Sequence, residues 1–387
     1  MPDANPLAAQ VREYFETRLP AMLARLEAWT VCESPTTEPA AVNALRREVA
    51  AAFIAAGAKQ QFHADGTADA ALELTVQGGT EVKQGELLVL GHLDTVYPLG
   101  TLARQPFRID AGCAYGPGVL DMKAGLISAL FALQALHALS LAPRRRLRLL
   151  FTSDEETGSR TSRPLIEAAA KGAAAVLVLE PGAGPAGALK TARKGIADFR
   201  LRAHGRAAHA GVDFEQGASA VVELARQITA LAAWSDPARG LTVNPGVVRG
   251  GSRVNVVAAE AEAELELRAW RLSDLQEAEQ RLAALRPLDR RVRLEVEGRI
   301  NRPPLERTDA IAALFLLARD CGRELGLDLA ESATGGGSDG NFTAALGIPT
   351  LDGLGAAGEG AHSPGEYIRL DTWPLRAALL ALLFARV

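Results

Sequence analysis

The sequence has few of the features that mark a disulfide-rich or exported protein. Its three cysteines, Cys32, Cys113 and Cys321, lie far apart and form no Cys-x-x-Cys pair. This argues against a disulfide framework and against a thiolate zinc site. Isolated thiols are typical of a reducing compartment, and no signal peptide is visible in residues 1–10. We therefore expect a cytoplasmic protein.

An excess of one charge and long apolar runs are also lacking. The formal net charge is -4 and the sequence pI is about 6.0, so neither nucleic acid nor an acidic membrane surface is expected as a partner. The longest apolar run, 124–136, is too short to span a bilayer and is typical of a buried helix.

The composition that remains is that of a globular protein, with 48% hydrophobic and 23% charged residues. A chain of 387 residues is long enough to predict two domains. In the first half, fully apolar strands alternate with helical patterns, which predicts an α/β layer fold. The expected strands are 71–76, 86–90, 146–152 and 174–179, and the expected helices are 8–30, 39–56, 121–139 and 161–171.

The pattern changes after about residue 190 to strands that alternate apolar and polar side chains, as in sheets with one wet face. Strands are expected at 196–204, 258–270 and 291–297, and helices at 216–234 and 274–285, with Ser273 as N-cap. We therefore expect a catalytic domain formed by 1–189 and 302–387, split by an inserted α+β domain at 190–301.

Five side chains suited to binding metal lie at or near predicted strand ends, each in a different short motif. They are His92 in Gly-His-Leu-Asp-Thr-Val, Asp121 in Val-Leu-Asp-Met-Lys, Glu156 in Asp-Glu-Glu-Thr-Gly, Glu180 in Leu-Glu-Pro-Gly and His362 in Gly-Ala-His-Ser-Pro-Gly-Glu. Imidazole and carboxylate without thiolate is the ligand set of a catalytic zinc site. Five ligands exceed what one open tetrahedral ion uses, so two ions that share a carboxylate are expected.

Two further carboxylates, Asp94 and Glu155, have predicted roles beside the metal ligands. Asp94 is placed to accept the other ring N–H of His92 and so to orient that imidazole. Glu155 and Glu156 are adjacent, and on one extended backbone they cannot point the same way. Glu156 is therefore expected to bind metal and Glu155 to act as general base on an attacking water.

Each motif alone also has an ordinary interpretation. A His-x-Asp pair is frequently a polar pair on the surface or in the core, an Asp-Glu-Glu run a solvated acidic turn, and Asp121 a helix N-cap. The order of all five motifs along an α/β pattern favours the metal site.

In that order the motifs resemble the dinuclear zinc hydrolase family that includes glutamate carboxypeptidase, acetylornithine deacetylase, succinyl-diaminopimelate desuccinylase and aminoacylase. The resemblance runs from about residue 85 to the C-terminus. It implies a mixed-sheet α/β catalytic domain of zinc exopeptidase type and an inserted two-layer α+β dimerisation or lid domain. It also implies two Zn²⁺ ions per subunit (Co²⁺ or Mn²⁺ could fill the same ligands), with Asp121 bridging them, and a cis bond between Asp121 and Met122.

The resemblance extends into the inserted domain and implies substrate contacts there. Gly-Arg-Ala-Ala-His-Ala-Gly around His209 is similar to the family motif whose histidine holds the substrate oxyanion. Asn255 and Arg268 are similar to its substrate-contacting residues, and Gly336 lies in a Gly-Gly-Gly-Ser-Asp loop like its substrate loop. Without the resemblance, His209 would be a polar turn residue and Arg268 part of a salt bridge on a strand face.

Within the family the chain is most similar to the glutamate carboxypeptidase branch. Arg193 in Arg-Lys-Gly, with Arg302 as a weaker candidate, would suit an acidic or free C-terminal carboxylate. The expected reaction releases a C-terminal, glutamate-like amino acid from a small peptide or N-acyl amino acid. The alternative is an N-acyl amino acid deacylase of the acetylornithine or succinyl-diaminopimelate type. A homodimer through the inserted domain is implied as well.

Parts of the sequence also agree with two other functions. Gly336-Gly337-Ser338-Asp339-Gly340 fits the Gly-x-Ser-x-Gly pattern of serine hydrolases, and Asp352 and His362 follow it in the required order. This alternative would leave the upstream carboxylates idle. A non-catalytic homologue would lack a base or a ligand, and none is absent.

Overall fold

The computed structural model describes residues 6–61, 70–79 and 84–387, and they divide into two compact units. Within the described residues, unit 1 comprises 6–61, 70–79, 84–192, 307–334 and 338–387. Unit 2 comprises 193–306 and 335–337. The predicted domain boundaries at 189/190 and 301/302 stay a prediction, and the assignment of 335–337 to unit 2 had no signal in the sequence.

Unit 1 is built on a mixed six-stranded sheet with the strand order β1 (Lys59–Gln61), β2 (Ala71–Val76), β6 (Leu147–Thr152), β3 (Glu86–His92), β7 (Ala173–Val178) and β14 (Thr350–Leu351). The central strands β6, β3 and β7 run parallel to one another. Strand β2 is antiparallel to β6, and β1 is antiparallel to β2. The strands of unit 1 are β1 (Lys59–Gln61), β2 (Ala71–Val76), β3 (Glu86–His92), β4 (Arg108–Asp110), β5 (Cys113–Tyr115), β6 (Leu147–Thr152), β7 (Ala173–Val178), β8 (Leu189–Arg193, whose last residue begins unit 2), β13 (Glu331–Thr334), β14 (Thr350–Leu351), β15 (Gly358–Glu359) and β16 (Tyr367–Arg369). The α/β class and the mixed sheet are as predicted.

The helices of unit 1 cover this sheet with apolar faces. They are α1 (Pro6–Glu16), α2 (Leu19–Val31), α3 (Pro39–Ala55), α4 (Ala124–Ala138), α5 (Arg163–Ala170), α8 (Asp309–Leu325), α9 (Gly340–Ala345) and α10 (Trp373–Arg386). The single helix predicted for 8–30 is wrong, because α1 ends at Glu16 and a new helix begins at Leu19 with Pro20 in its first turn. Proline fits there because its missing N–H has no helical acceptor in any case.

Helix α4 is the central core helix of unit 1. Among the described residues, Val119–Ala138 is the one helical stretch long and apolar enough to cross a membrane by length and composition, and 89% of its apolar window is buried inside the protein. The Trp373 indole of α10 donates to Ser128 Oγ on α4 at 3.0 Å. All three cysteines are free thiols, and the cytoplasmic location stays a prediction.

Unit 2 is an α+β layer of one antiparallel sheet and two helices. The sheet has the order β10-β11-β9-β12, and apolar side chains on one face pack under the helices. The elements are β9 (Gly195–His204), β10 (Thr242–Gly250), β11 (Glu260–Ala269), β12 (Arg293–Arg302), α6 (Ala220–Ala232) and α7 (Leu272–Ala283). The predicted Ser273 cap is wrong, since Arg271 occupies the N-cap position of α7 and makes no side-chain cap bond.

Candidate metal centre

The five candidate ligands lie on five different segments of unit 1. His92 is the last residue of β3, Glu180 follows β7, and Glu156 lies in a 3-10 turn (Glu155–Thr157) after β6. Asp121 lies in the turn before α4, and His362 in the loop between β15 and β16. Because β3, β6 and β7 are parallel, their carboxyl ends meet at one edge of the sheet, where open α/β sheets bind ligands.

The structure brings these side chains together in two groups that share one residue. His92, Asp121 and Glu180 form the first group, and Asp121, Glu156 and His362 form the second, with the ligand atoms in each group within 4.8 Å of one another. His92 Nε2 lies 3.1 Å from Asp121 Oδ1, whereas His362 Nε2 lies 3.3 Å from Asp121 Oδ2. The two carboxylate oxygens therefore face different imidazoles, which is the arrangement of a bridging ligand. The peptide bond between Asp121 and Met122 is cis, as the resemblance implied.

The donor atoms fit divalent cations of the zinc type. His92 Nε2 is 3.6 Å from Glu180 Oε1, and His362 Nε2 is 3.2 Å from Glu156 Oε2. Within the described part of the chain, the other oxygen of Glu156, Oε1, is buried without a hydrogen-bond partner. A buried carboxylate oxygen without a partner is costly, and coordination of a cation would satisfy it.

Burial and hydrogen bonds shift the pKa values of the candidate ligands. Burial lowers the pKa of His92, but hydrogen bonds with Asp121 and Asp94 outweigh it and raise that pKa well above its ordinary value. Hydrogen bonds with Asp121 and Glu156 raise the pKa of His362 to about 10, and burial raises the pKa of Glu156. Because metal ligands must be deprotonated, a cation would replace a proton on each imidazole.

Asp94 contacts both the His92 imidazole and the turn that carries Glu155 and Glu156. Its carboxylate Oδ1 is 3.5 Å from His92 Nδ1, but its own carbonyl oxygen is closer, at 2.9 Å. The carboxylate also accepts the N–H groups of Glu155 (3.2 Å) and Glu156 (3.1 Å) and the hydroxyl of Thr36 (2.7 Å). Asp94 thus links His92 to the turn, a connection that the sequence did not reveal.

The predicted extended backbone at Glu155 and Glu156 is wrong, because both residues lie in a 3-10 turn. Successive side chains in such a turn project about 120° apart around the axis. The two adjacent side chains therefore still point in different directions. The roles of Glu155 as base and Glu156 as ligand stay predictions.

The serine hydrolase alternative does not agree with the structure. Ser338 is fully buried, and its hydroxyl donates directly to Asp352 Oδ2 at 2.6 Å. His362, which would have to act as the base, faces Asp121 and Glu156 instead. The Ser338 hydroxyl therefore serves to fix its buried loop.

The six predicted substrate contacts all lie in unit 2, in two groups. His209 and Asn255 are exposed neighbours, since the Ala210 N–H donates to the Asn255 carbonyl at 3.0 Å. Arg268 and Arg302 flank Ile196 on adjacent strands.

The second group surrounds the glycine loop. Arg193 donates to the carbonyls of Gly336 (3.2 Å) and Gly337 (3.0 Å). Arg268 donates to the carbonyl of Gly335 and to both carboxylate oxygens of Glu266, at 2.7 and 2.9 Å. Arg268 therefore forms the strand-face salt bridge that the ordinary interpretation expects. Its contact with substrate stays a prediction.

One buried carboxylate beside the site was missed. Glu366, four residues after His362 in the same motif, is 2% exposed and accepts three backbone N–H groups from the turn that carries Asp121. Burial raises the pKa of Glu366 to about 7. The only signal in the sequence was its position in the histidine motif.

Comparison with known proteins identifies relatives over most of the chain. The family model described as Peptidase family M20/M25/M40 matches residues 88–386. Carboxypeptidase G2 from Pseudomonas sp. (strain RS-16) is 32% identical over 310 residues, which cover 77% of this chain and 72% of that protein. A succinyl-diaminopimelate desuccinylase from Alkalilimnicola ehrlichii is 30% identical over 318 residues, 73% of this chain and 79% of that protein.

Solved structures show the same fold. A tripeptidase from Staphylococcus aureus aligns with a TM-score of 0.75 at 23% identity, covering 95% of this chain and 98% of that one. A metallo-carboxypeptidase of the M20 family from Sulfolobus solfataricus aligns with a TM-score of 0.70 at 17% identity, covering 94% and 98%.

Proposed function

The chain belongs to peptidase family M20/M25/M40, and from that premise we propose that it is a dinuclear zinc carboxypeptidase that releases a glutamate-like C-terminal residue. It is a hydrolase of the carboxypeptidase and deacylase kind. The observation that carries the finer proposal is the pair of ligand groups that share Asp121.

Each side chain of the site has a defined task in this reaction. Two zinc ions held by His92, Glu180, Glu156 and His362 around Asp121 would acidify water and polarise the amide carbonyl. Glu155 takes the proton from the attacking water and later gives it to the leaving amine. Asp94 holds the N–H of Glu155 and so fixes the base beside its ligand neighbour.

The preference for an acidic product is supported by the basic residues around the glycine loop of unit 2. The cluster consists of Arg193, Arg268, Arg302 and Lys194. Burial and the charge of Arg268 lower the pKa of Lys194. Guanidinium groups suit planar carboxylates. We assign the substrate carboxylate to this cluster and the oxyanion to His209, as in the resemblance. A deacylase is the second candidate, favoured by the 30% identity with the desuccinylase.

A substrate panel tests this proposal. N-acyl amino acids and dipeptides that differ only in the C-terminal residue will be hydrolysed fastest when that residue is glutamate, because a second carboxylate pairs with the arginines. Chelation will abolish turnover, and a serine-reactive phosphonate will leave it unchanged. Faster cleavage of acetylornithine or succinyl-diaminopimelate would instead establish the deacylase, and phosphonate inhibition would refute the metal mechanism.

We also propose a homodimer formed through unit 2. Strand β10 is an edge strand, and edge strands leave backbone groups available for pairing with another chain. Val248 on this strand is 56% exposed, and Val222 on α6 is 49% exposed. Apolar exposure along a sheet edge is what pairing with a second copy would cover.

Light scattering will test the dimer. The wild type is expected at the mass of two 40.8 kDa chains, and Val248→Glu at the mass of one, because the new charge would be buried at the interface. Leu346→Glu, at a site that is 45% exposed in unit 1, is the matched control and should remain dimeric. A monomeric wild type would disprove the proposal.

A further inference from the structure

The carboxylate of Glu366 accepts three backbone N–H groups from one short turn. Its Oε1 accepts the N–H groups of Leu120 at 2.7 Å and Asp121 at 2.9 Å, and its Oε2 accepts the N–H of Gly118 at 2.9 Å. Its own carbonyl accepts the N–H of Gly116 at 3.3 Å. A carboxylate with three N–H donors is held firmly, and it holds its donors equally firmly.

The backbone conformation of the turn that Glu366 holds is tightly restricted. Gly118 has a φ of 73°, and a Cβ atom there would come within 2.7 Å of the Thr95 side chain. Three residues later, Asp121 must direct one oxygen at each imidazole, 3.1 and 3.3 Å away. The direction of the Asp121 side chain follows from its backbone, and the backbone N–H of Asp121 is fixed by Glu366.

A comparable arrangement exists on the other side of the site. Asp94 accepts the N–H groups of Glu155 and Glu156, as Glu366 accepts that of Asp121. These two ligand-bearing turns are therefore each anchored through the backbone by a buried carboxylate, and Asp94 and Glu366 are 0% and 2% exposed.

We propose that Glu366 is a positioning residue that aims the carboxylate of Asp121 at both cation sites. The proposal rests on the proposed metal-dependent function, since Asp121 is the ligand that Glu366 would serve. Residues of this kind, which orient metal ligands without binding the metal, commonly affect metal affinity or activity by about 10- to 100-fold.

Three variants of the full-length protein test this role. Glu366→Ala removes both carboxylate oxygens that accept the three N–H groups, and it is expected to lower kcat and Zn²⁺ affinity by about 10- to 100-fold, with KM nearly unchanged. Glu366→Gln keeps one oxygen for Leu120 and Asp121 and places an amide N–H2 against Gly118. Because the Gly118 N–H then faces a second donor, this variant should recover only part of the lost affinity and kcat and should keep a perturbed Co²⁺ spectrum. Glu359→Gln, an exposed carboxylate bonded to the Tyr367 hydroxyl, should match the wild type.

The measurements separate positioning from general folding and from the proposed function. Zn²⁺ affinity by calorimetry, the Co²⁺ absorption spectrum and the melting temperature are measured on every variant that folds. Unchanged zinc affinity and kcat in Glu366→Ala would overturn the positioning role. If Glu366→Ala does not fold, the glutamine variant decides: a perturbed Co²⁺ spectrum with a normal melting temperature supports the role, and a wild-type spectrum and affinity refute it. A wild type that binds no cation would refute the proposed function instead.

The anchoring of the turn by Glu366 can also be measured in the absence of any metal. Amide hydrogen exchange of the segment containing Leu120 and Asp121 should accelerate in Glu366→Ala and remain slow in Glu359→Gln, because only the first loses the acceptor. Unchanged exchange would contradict the anchoring on which the proposal depends.

Discussion

Replacing Glu155 by glutamine will lower kcat by about 100- to 10,000-fold, the usual contribution of a general base, while the bound zinc content stays the same. The amide cannot take a proton from water, so the attack step loses its base. The backbone N–H that Asp94 holds at 3.2 Å remains available, so the turn and its ligand Glu156 keep their places. Turnover is measured with the N-acyl glutamate substrate and zinc by elemental analysis.

The matched control for this result is Glu167→Gln. Glu167 is a partly exposed carboxylate on α5 that pairs with Arg163 at 2.7 Å, outside the metal site. This variant should keep wild-type turnover. Undiminished activity in Glu155→Gln would remove Glu155 from the role of base, and loss of zinc together with activity would show that it is a ligand or a structural residue.

Replacing Asp121 by alanine will affect both cation sites at once. Asp121 is the residue common to both ligand groups, so its loss leaves each group with one imidazole and one carboxylate. We expect the zinc stoichiometry to fall from two to one or fewer. The fall in kcat should exceed the upper end of the roughly 10- to 100-fold effect of residues that only support ligands.

Asp110→Ala is the control for the Asp121 variant. Asp110 is an exposed carboxylate on β4, 3.6 Å from Arg108, and its loss should change neither stoichiometry nor rate. Equilibrium dialysis with zinc gives the stoichiometry directly. Two tightly bound ions in Asp121→Ala would contradict the bridging role.

The sequence predicted those parts of the site that depend on local pattern. His92 and Glu180 follow strands whose continuous apolar runs mark burial on both faces, and the ends of parallel strands must meet at one edge. His92, Glu156 and Glu180 could therefore be expected close together, whereas Asp121 and His362 were added to the set by the order of the motifs and by the resemblance. Their assignment as ligands stays a prediction.

What the sequence did not predict depends on contacts between distant segments. Asp94 could be assigned to His92 because they are two residues apart, but its bonds to Glu155 and Glu156 come from another strand. Glu366 anchors a turn far away in the chain. Short patterns also failed at helix ends: α1 and α2 are separate helices, and Pro20 lies in the first turn of the second, which begins at Leu19.

The five candidate ligands come from segments spread between His92 and His362. During synthesis, His92, Asp121, Glu156 and Glu180 leave the ribosome long before His362 and Glu366 do. All members of the first ligand group have been synthesised once Glu180 is made, whereas the second group lacks its imidazole, and Asp121 its backbone anchor, until the C-terminal part of unit 1 is made. Non-local contacts of this kind form late in folding, so a nascent chain cut short before the histidine motif would hold at most half of the centre.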